Sequence, residues 1–423
     1  MQVTIVALGS RGDVEPYIAL GKGLVKAGHA ARLVTHSNFE GLVTAHKVEF
    51  FPVDVNVQQI ATSEDMRSRL GRGNFLSVMS LMAREAERGA ISLTRAGLAA
   101  CLGRDMIISG IGGLYPAVAL AEKLNLPLVQ AYYIPFTPTR AYPSFLMSRF
   151  PVKLNGNLNR LSYHLARQVF WQGFRLADNK IRQDELGIPL NPFLGPTRRK
   201  ILMQGPILYG YSPAVLPRPA DWPANIQVTG YWFLDHNEDW MPPEGLVDFL
   251  QAGEPPVFIG FGSMSKQNPD QTMQLLLKAL EISNQRGIIL SGWGGLKTDR
   301  LPGSAFVVDS VPYSWLFPHT AAVVHHGGAG TTAAGLRAGV PSVVLPFFGD
   351  QPFWGRRVAE LGVGPAPISQ RKLTAEKLAE AILTAVNDRT MRQRAVELGA
   401  KIQAEDGIAK AIAVLQNVTG TVH

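Results

Sequence analysis

Short apolar runs bounded by glycine and proline alternate along this chain with longer stretches of helical spacing, the form taken by βαβ units around a parallel sheet. The alternation occurs twice. In the first half, Val3–Leu8, Ala31–Thr35, Met106–Ser109 and Leu128–Ala131 read as strands, and Pro16–Ala27 reads as a helix stopped by Gly28. In the second half, Val257–Gly260, Gly287–Ser291, Ala305–Val308, Ala321–His325 and Ser342–Leu345 read as strands separated by helices. The pattern predicts an α/β protein with two parallel-sheet domains of nucleotide-binding type.

Between the halves, Pro206, Pro213, Pro217, Pro219 and Pro223 make regular structure hard to continue. We expect a first domain over 1–217 and a second over 218–400. A helical pattern from Met391 to Leu415, interrupted around Asp406-Gly407, places a terminal helix in 401–423 that crosses back onto the first domain. At 423 residues the chain suits two domains of roughly 200 residues and a cleft between them. From Phe136 to Gln183 the pattern changes to aromatics, prolines and amphipathic helix. Phe136, Phe145, Phe170, Trp171 and Phe174 either line an apolar pocket there or fill the core under a long connection.

Composition narrows the function. Hydrophobic residues at 46% against 17% charged exclude a disordered chain. The net charge of +8 suits anionic ligands or a membrane surface. Its basic residues are dispersed apart from Arg198-Arg199-Lys200, without zinc-finger spacing, so nucleic acid is not an expected partner. One cysteine, Cys101, allows no internal disulfide and fits the cytoplasm. The N-terminus opens on a strand rather than a basic and apolar leader, so no signal peptide is expected. No uncharged apolar run reaches about 18 residues, so membrane contact is expected to be peripheral at most.

The chemistry gathers at two glycine-rich turns. After the strand ending at His325 comes His326-Gly327-Gly328-Ala329-Gly330-Thr331-Thr332, then a helical run. Glycine lets backbone N–H groups at a helix start approach an anion, so this is a phosphate site by geometry, unless it is a tight turn with a capping threonine and nothing more. Asp350 and Gln351 follow the next strand, where ligands of open α/β sheets bind, and a carboxylate beside an amide suits neighbouring sugar hydroxyls. Phosphates and hydroxyls together describe a nucleotide sugar.

The run from Val311-Pro312-Tyr313-Ser314-Trp315 through the glycine turn to Pro346-Phe347-Phe348-Gly349-Asp350-Gln351-Pro352-Phe353-Trp354-Gly355 resembles the donor-binding signature of GT-B family 1 glycosyltransferases. Within them it is most similar to the sterol 3-beta-glucosyltransferases and to the bacterial enzymes that glycosylate antibiotics of glycopeptide and macrolide type. The resemblance implies a GT-B fold, two Rossmann-like domains facing across a cleft. It also implies that His326 contacts the α-phosphate while Gly328, Ala329, Gly330 and Thr331 present groups to the diphosphate. Val311 would meet the uracil through its backbone, Asp350 and Gln351 would hold the sugar, and Ser263 would lie near the β-phosphate. Trp293 would lie beside the nucleoside, or simply pack in its loop. Ser10, in the first turn, joins this set of donor contacts. Plant members carry Trp-Asn where this chain has Ala329-Gly330, so backbone groups would replace those side chains.

The first turn, Gly9-Ser10-Arg11-Gly12-Asp13-Val14-Glu15-Pro16, places Asp13 where many members carry a catalytic histidine, as the antibiotic-type members do. Asp13 is the candidate base for direct, inverting displacement, or else a cap of the following helix. The implied activity is hexose transfer, glucose first, from a UDP-sugar to a hydroxyl of an apolar polycyclic acceptor such as a sterol, without metal or cofactor. A polyketide, flavonoid or glycolipid would satisfy the same pocket. A helper protein that kept the fold and lost the chemistry is the alternative of a different class.

Overall fold

The computed structural model describes residues 1–53, 75–148, 154–196, 199–235, 240–261, 269–291 and 301–419. It holds two parallel sheets. The first has seven strands, β1 (Gln2–Val6), β2 (Ala30–His36), β3 (Glu49–Val53), β4 (Met106–Ser109), β5 (Leu128–Tyr132), β6 (Ile207–Tyr209) and β7 (Ile226–Val228), in the order β3-β2-β1-β4-β5-β6-β7. The second has β8 (Val257–Gly260), β9 (Gly287–Leu290), β10 (Ala305–Val308), β11 (Ala322–His325) and β12 (Ser342–Val344), in the order β10-β9-β8-β11-β12. Each order runs outward one way from its first strand and then resumes on that strand's other side. The reversal makes a switch point between β1 and β4 in one sheet and between β8 and β11 in the other, where the fold opens a crevice beyond the strand ends.

The longer helices are α1 (Arg11–Lys26), α2 (Phe75–Cys101), α3 (Leu114–Leu124), α4 (Gly156–Ile181), α5 (Pro269–Ser283), α6 (Ala329–Arg337), α7 (Gln351–Glu360), α8 (Ala375–Asn387), α9 (Arg389–Gln403) and α10 (Gly407–Thr419). No helix among the described residues is long and apolar enough to cross a membrane. The central strands are continuous apolar runs because helices cover both sheet faces; Met106, Ile107 and Ile108 of β4 are all fully buried.

Among the described residues the first unit takes in 1–53, 76–234 and 405–419, and the second takes in 75, 235 and 240–404. The first unit thus runs 17 residues past Pro217. The proline-rich stretch is punctuated by two short strands, β6 and the edge strand β7, that pair in parallel and extend the first sheet (Ile207 opposite Ile226). The helical pattern at the C-terminus breaks where α9 ends. Beyond the break α10 packs on α1, with Ala411 and Leu415 fully buried in the same cluster as Leu20 and Leu24. Burial of one such leucine contributes about 1.5–3 kcal/mol, so the tail is a structural part of the first unit.

Candidate active site

The turn after β1 holds the candidate base. Helix α1 starts at Arg11, five residues before the predicted start at Pro16, so Asp13 sits within its first turn and not in the loop before it. Ser10 is the N-cap. The backbone N–H and the hydroxyl of Ser10 both donate to Asp13 Oδ2 at 2.7 Å, and the Asp13 N–H returns a bond to the Ser10 carbonyl at 2.9 Å. The hydroxyl of Ser10, expected to serve the sugar donor, is therefore committed to the carboxylate. Tyr133, just past the end of β5, donates its hydroxyl to the other oxygen, Oδ1.

Two further residues shape this turn. Gly9 has φ +141°, and a Cβ there would stand 2.5 Å from Asp13 Oδ2, so any side chain would push the carboxylate away. The Gly9 N–H donates to His36 Nε2 at 3.0 Å. His36 closes β2, so the carboxyl ends of β1, β2 and β5 contribute to one cluster around a half-buried Asp13. No local motif in the sequence pairs His36 with this turn. Nothing in the sequence pointed to Tyr133, because only the strand order brings it beside β1. Tyr17 lies beneath, its hydroxyl donating to the Ala131 carbonyl at 2.6 Å; burial first, and the Asp13 charge second, raise its pKa well above the usual phenol value.

The second unit holds the glycine-rich turn expected to bind phosphate. Register places His325 opposite Gly260, so the turn after β11 lies at the β8–β11 switch point. Gly327 has φ +88°, a conformation that favours glycine, and its N–H donates to His325 Nδ1 at 3.0 Å. A Cβ on Gly327 would meet Val344 Cγ1 at 2.6 Å and the Gln351 carbonyl at 3.0 Å, which brings the phosphate turn against the Asp350-Gln351 turn. Gly328 caps α6, whose first residues are Ala329, Gly330 and Thr331; at a helix start these N–H groups have no intrahelical acceptor and carry positive dipole. Thr332, not Thr331, spends its hydroxyl on the helix, donating to the Gly328 carbonyl at 2.9 Å.

Burial pushes the His326 imidazole down to about 4; burial and then the neighbouring His326 push His325 to about 3. Both rings are neutral at neutral pH. His326 Nδ1 is buried with no hydrogen-bond partner among the described residues, which leaves it able to serve a ligand oxygen as a neutral donor.

Asp350 is half-buried at the start of α7 and accepts from Trp354 Nε1 through Oδ2 at 3.0 Å. Gln351 is buried, and its Oε1 accepts from the backbone N–H groups of Phe347 (2.7 Å) and Phe348 (3.2 Å). Its side-chain carbonyl thus braces the turn that carries Asp350. Val311 lies just beyond β10 with its side chain in the core beside Leu316 and Phe317. Ser263 and Trp293 lie outside the described residues.

The aromatic insert resolves into two groups. Phe136, Phe145 and Trp171 are core: Phe136 packs on Tyr132 and Phe170, Phe145 on Phe170, and Trp171 donates its indole N–H to the Phe193 carbonyl at 2.9 Å. Only Phe170 and Phe174 of the five remain half-buried and available to a pocket wall.

The two units match known families separately. Residues 3–143 match the glycosyltransferase family 28 N-terminal domain, and residues 288–417 match the erythromycin biosynthesis protein CIII-like C-terminal domain. The glycosyltransferase VinC in complex with dTDP shares the fold with TM-score 0.69 at 19% identity, all of both chains being covered. A sterol 3-beta-glucosyltransferase of Neosartorya fischeri is 37% identical over 97% of this chain, which spans only 29% of that relative's length. The Arabidopsis thaliana sterol 3-beta-glucosyltransferase UGT80B1 is 36% identical over 97% of this chain and 67% of its own length. With both units matched in order and the likeness running the length of the chain, this protein belongs to the GT-B glycosyltransferase family that includes the sterol 3-beta-glucosyltransferases.

Proposed function

We propose that the chain is an inverting glycosyltransferase that moves glucose from UDP-glucose to the hydroxyl of a sterol or a similar polycyclic alcohol. The observation that carries the reading is the held carboxylate of Asp13, fixed by Ser10 and Tyr133 at the switch point of its sheet. The acceptor hydroxyl attacks C1 of the sugar while Asp13 takes its proton. The bond from C1 to the β-phosphate oxygen breaks, and UDP leaves with the electron pair. A single displacement inverts the anomeric centre. The N–H groups opening α6 and the neutral His326 meet the charge that develops on the leaving diphosphate, so the proposed reaction assigns no role to a metal or cofactor.

The acceptor follows from relatives named sterol 3-beta-glucosyltransferases at 36–37% identity. Phe170 and Phe174 offer it an apolar wall, and burial contributes about 25 cal/mol per Å² before association costs. UDP follows from the donor-binding signature; thymidine diphosphate, bound by VinC, is the competing nucleotide. The single cysteine supports a cytoplasmic setting, and a membrane-resident acceptor would have the enzyme work peripherally at a lipid surface.

The test offers purified protein UDP-glucose or TDP-glucose with a 3-hydroxysterol, a flavonoid and a macrolide at equal concentration, and reads products by mass spectrometry. The reading expects a sterol monoglucoside from UDP-glucose. Preferred turnover of another acceptor, or no transfer to any, overturns it.

A further inference from the structure

Helix α4 buries one face and leaves an apolar stripe on the other. Leu158, Leu161, Leu165 and Leu176 are between 45% and 63% exposed, and their spacing keeps them on one side of the helix. The stripe is widened by the loop that follows. Gln168 Nε2, Trp171 Nε1 and Gln172 Nε2 all donate to the Phe193 carbonyl, at 3.2, 2.9 and 2.8 Å, and Asn179 exchanges hydrogen bonds with Asn191. These bonds fasten the loop against the middle of α4 with Leu190, Phe193 and Leu194 between 50% and 70% exposed. Scattered exposed leucines need no explanation; a contiguous band does.

The charge on this helix is of one sign. Arg160, Arg167, Arg175 and Lys180 are its basic residues, and its one acid, Asp178, is buried against Arg182 at 2.9 Å. Arg160 and Lys180 are exposed near the two ends of the stripe, and the Arg175 guanidinium lies 5.4 Å from the centre of the Phe193 ring. An apolar band whose exposed charges on α4 are basic, with the exposed Asp184 lying three residues past the helix end, is the composition of a helix that lies in the interface of a bilayer and is drawn to anionic lipid. Two copies facing each other across this band would set like charges together.

We propose that the outer face of α4, with the 190–194 loop, docks the enzyme on a bilayer containing anionic lipid, seating the leucines and Phe193 among the headgroups. The proposal rests on the reading above for its purpose, delivery of a membrane-resident acceptor, and on this surface for its argument.

The full chain is floated with vesicles of phosphatidylcholine alone and of phosphatidylcholine with phosphatidylglycerol, without sugar donor or acceptor. The wild type is expected to float with the anionic vesicles and far less with the neutral ones. Leu161→Glu with Leu165→Glu, and separately Arg160→Glu with Lys180→Glu, lower that partition by roughly tenfold or more. Val396→Glu, at an exposed apolar site of the second unit, leaves it unchanged. An unaltered thermal transition checks the fold of each variant. No flotation of the wild type, or equal flotation of the α4 variants, overturns the proposal. So does wild-type self-association without flotation that the leucine variants abolish, which would assign the face to a second copy. Vesicle binding needs no turnover, so its failure leaves the sterol reading standing, and flotation without sterol glucosylation sinks that reading alone.

Discussion

The Tyr133 hydroxyl donates to Asp13 Oδ1 across 120 residues of sequence, while Ser10 donates twice to Oδ2. The carboxylate is thereby held from both sides, so in the proposed reaction little rotamer freedom is left to lose when an acceptor hydroxyl approaches.

Removing one of those donors should show in the chemical step. Tyr133→Phe keeps the ring and deletes a hydrogen bond worth about 1–1.5 kcal/mol net, so kcat for sugar transfer is expected to fall about five- to tenfold. UDP affinity by calorimetry should not change, because Tyr133 and the phosphate turn belong to different sheets. An unchanged kcat would mean that Ser10 alone suffices to orient the base.

His326→Ala tests the phosphate turn. The neutral imidazole offers one hydrogen bond to a diphosphate oxygen, worth on the order of 1–3 kcal/mol once desolvated, so UDP affinity should weaken by roughly tenfold or more with the thermal transition retained. Wild-type UDP affinity in this variant would remove His326 from the donor site.

Trp354→Phe separates sugar reading from nucleotide binding. The indole N–H donates to Asp350 Oδ2, so its loss loosens the carboxylate at one oxygen while leaving the residues of the glycine-rich turn in place. The KM for UDP-glucose is expected to rise several-fold, in line with a lost charge-assisted hydrogen bond of about 1.5–3 kcal/mol partly recovered by water, while UDP affinity holds. A parallel loss of UDP affinity would show that the change had disturbed the whole turn.

How far the sequence anticipates these arrangements depends on how local each signal is. Most of the strands beside the two glycine turns follow from apolar runs, and the predicted bounds of Met106–Ser109, Val257–Gly260 and Ala305–Val308 coincide with β4, β8 and β10. The glycine-rich turn and the helix start at Ala329 are legible because the residues that form them are contiguous. Strands β6 and β7 are not, since three residues each in a proline-rich stretch carry too little periodicity. Asp13 was read as lying before the helix because Pro16 looked like a helix start; the chain instead places it inside the helix, with Ser10 as the cap. Tyr133 and His36 come from other strand ends, and only the β3-β2-β1-β4-β5 order unites them with Asp13. Burial is non-local in the same way: sequence marks Phe136, Phe145 and Trp171 as aromatic but not as inward-facing.

The paired histidines should contribute acid sensitivity to the protein. His325 and His326 have pKa values below the ordinary 6.5, so the folded state binds fewer protons than the unfolded chain under mildly acidic conditions. Their stabilising contribution is present above pH 6.5 and is lost as pH falls from 6.5 through about 4 for His326 and about 3 for His325. Denaturant unfolding from pH 7 to pH 4 should therefore show falling stability, and His325→Asn should flatten part of that fall. An identical pH slope in the variant would show that carboxylates alone govern the acid limb.

The central claim, that Asp13 is the base of a glycosyl transfer, is tested most directly by Asp13→Asn. An amide keeps the shape and an oxygen for the Ser10 N–H but cannot take the acceptor's proton. With UDP-glucose and a 3-hydroxysterol, product formation followed by mass spectrometry is expected to fall by roughly 10²-fold or more while UDP affinity on the same preparation stays nearly unchanged. Near-wild-type kcat in that variant would contradict the account and move the base elsewhere.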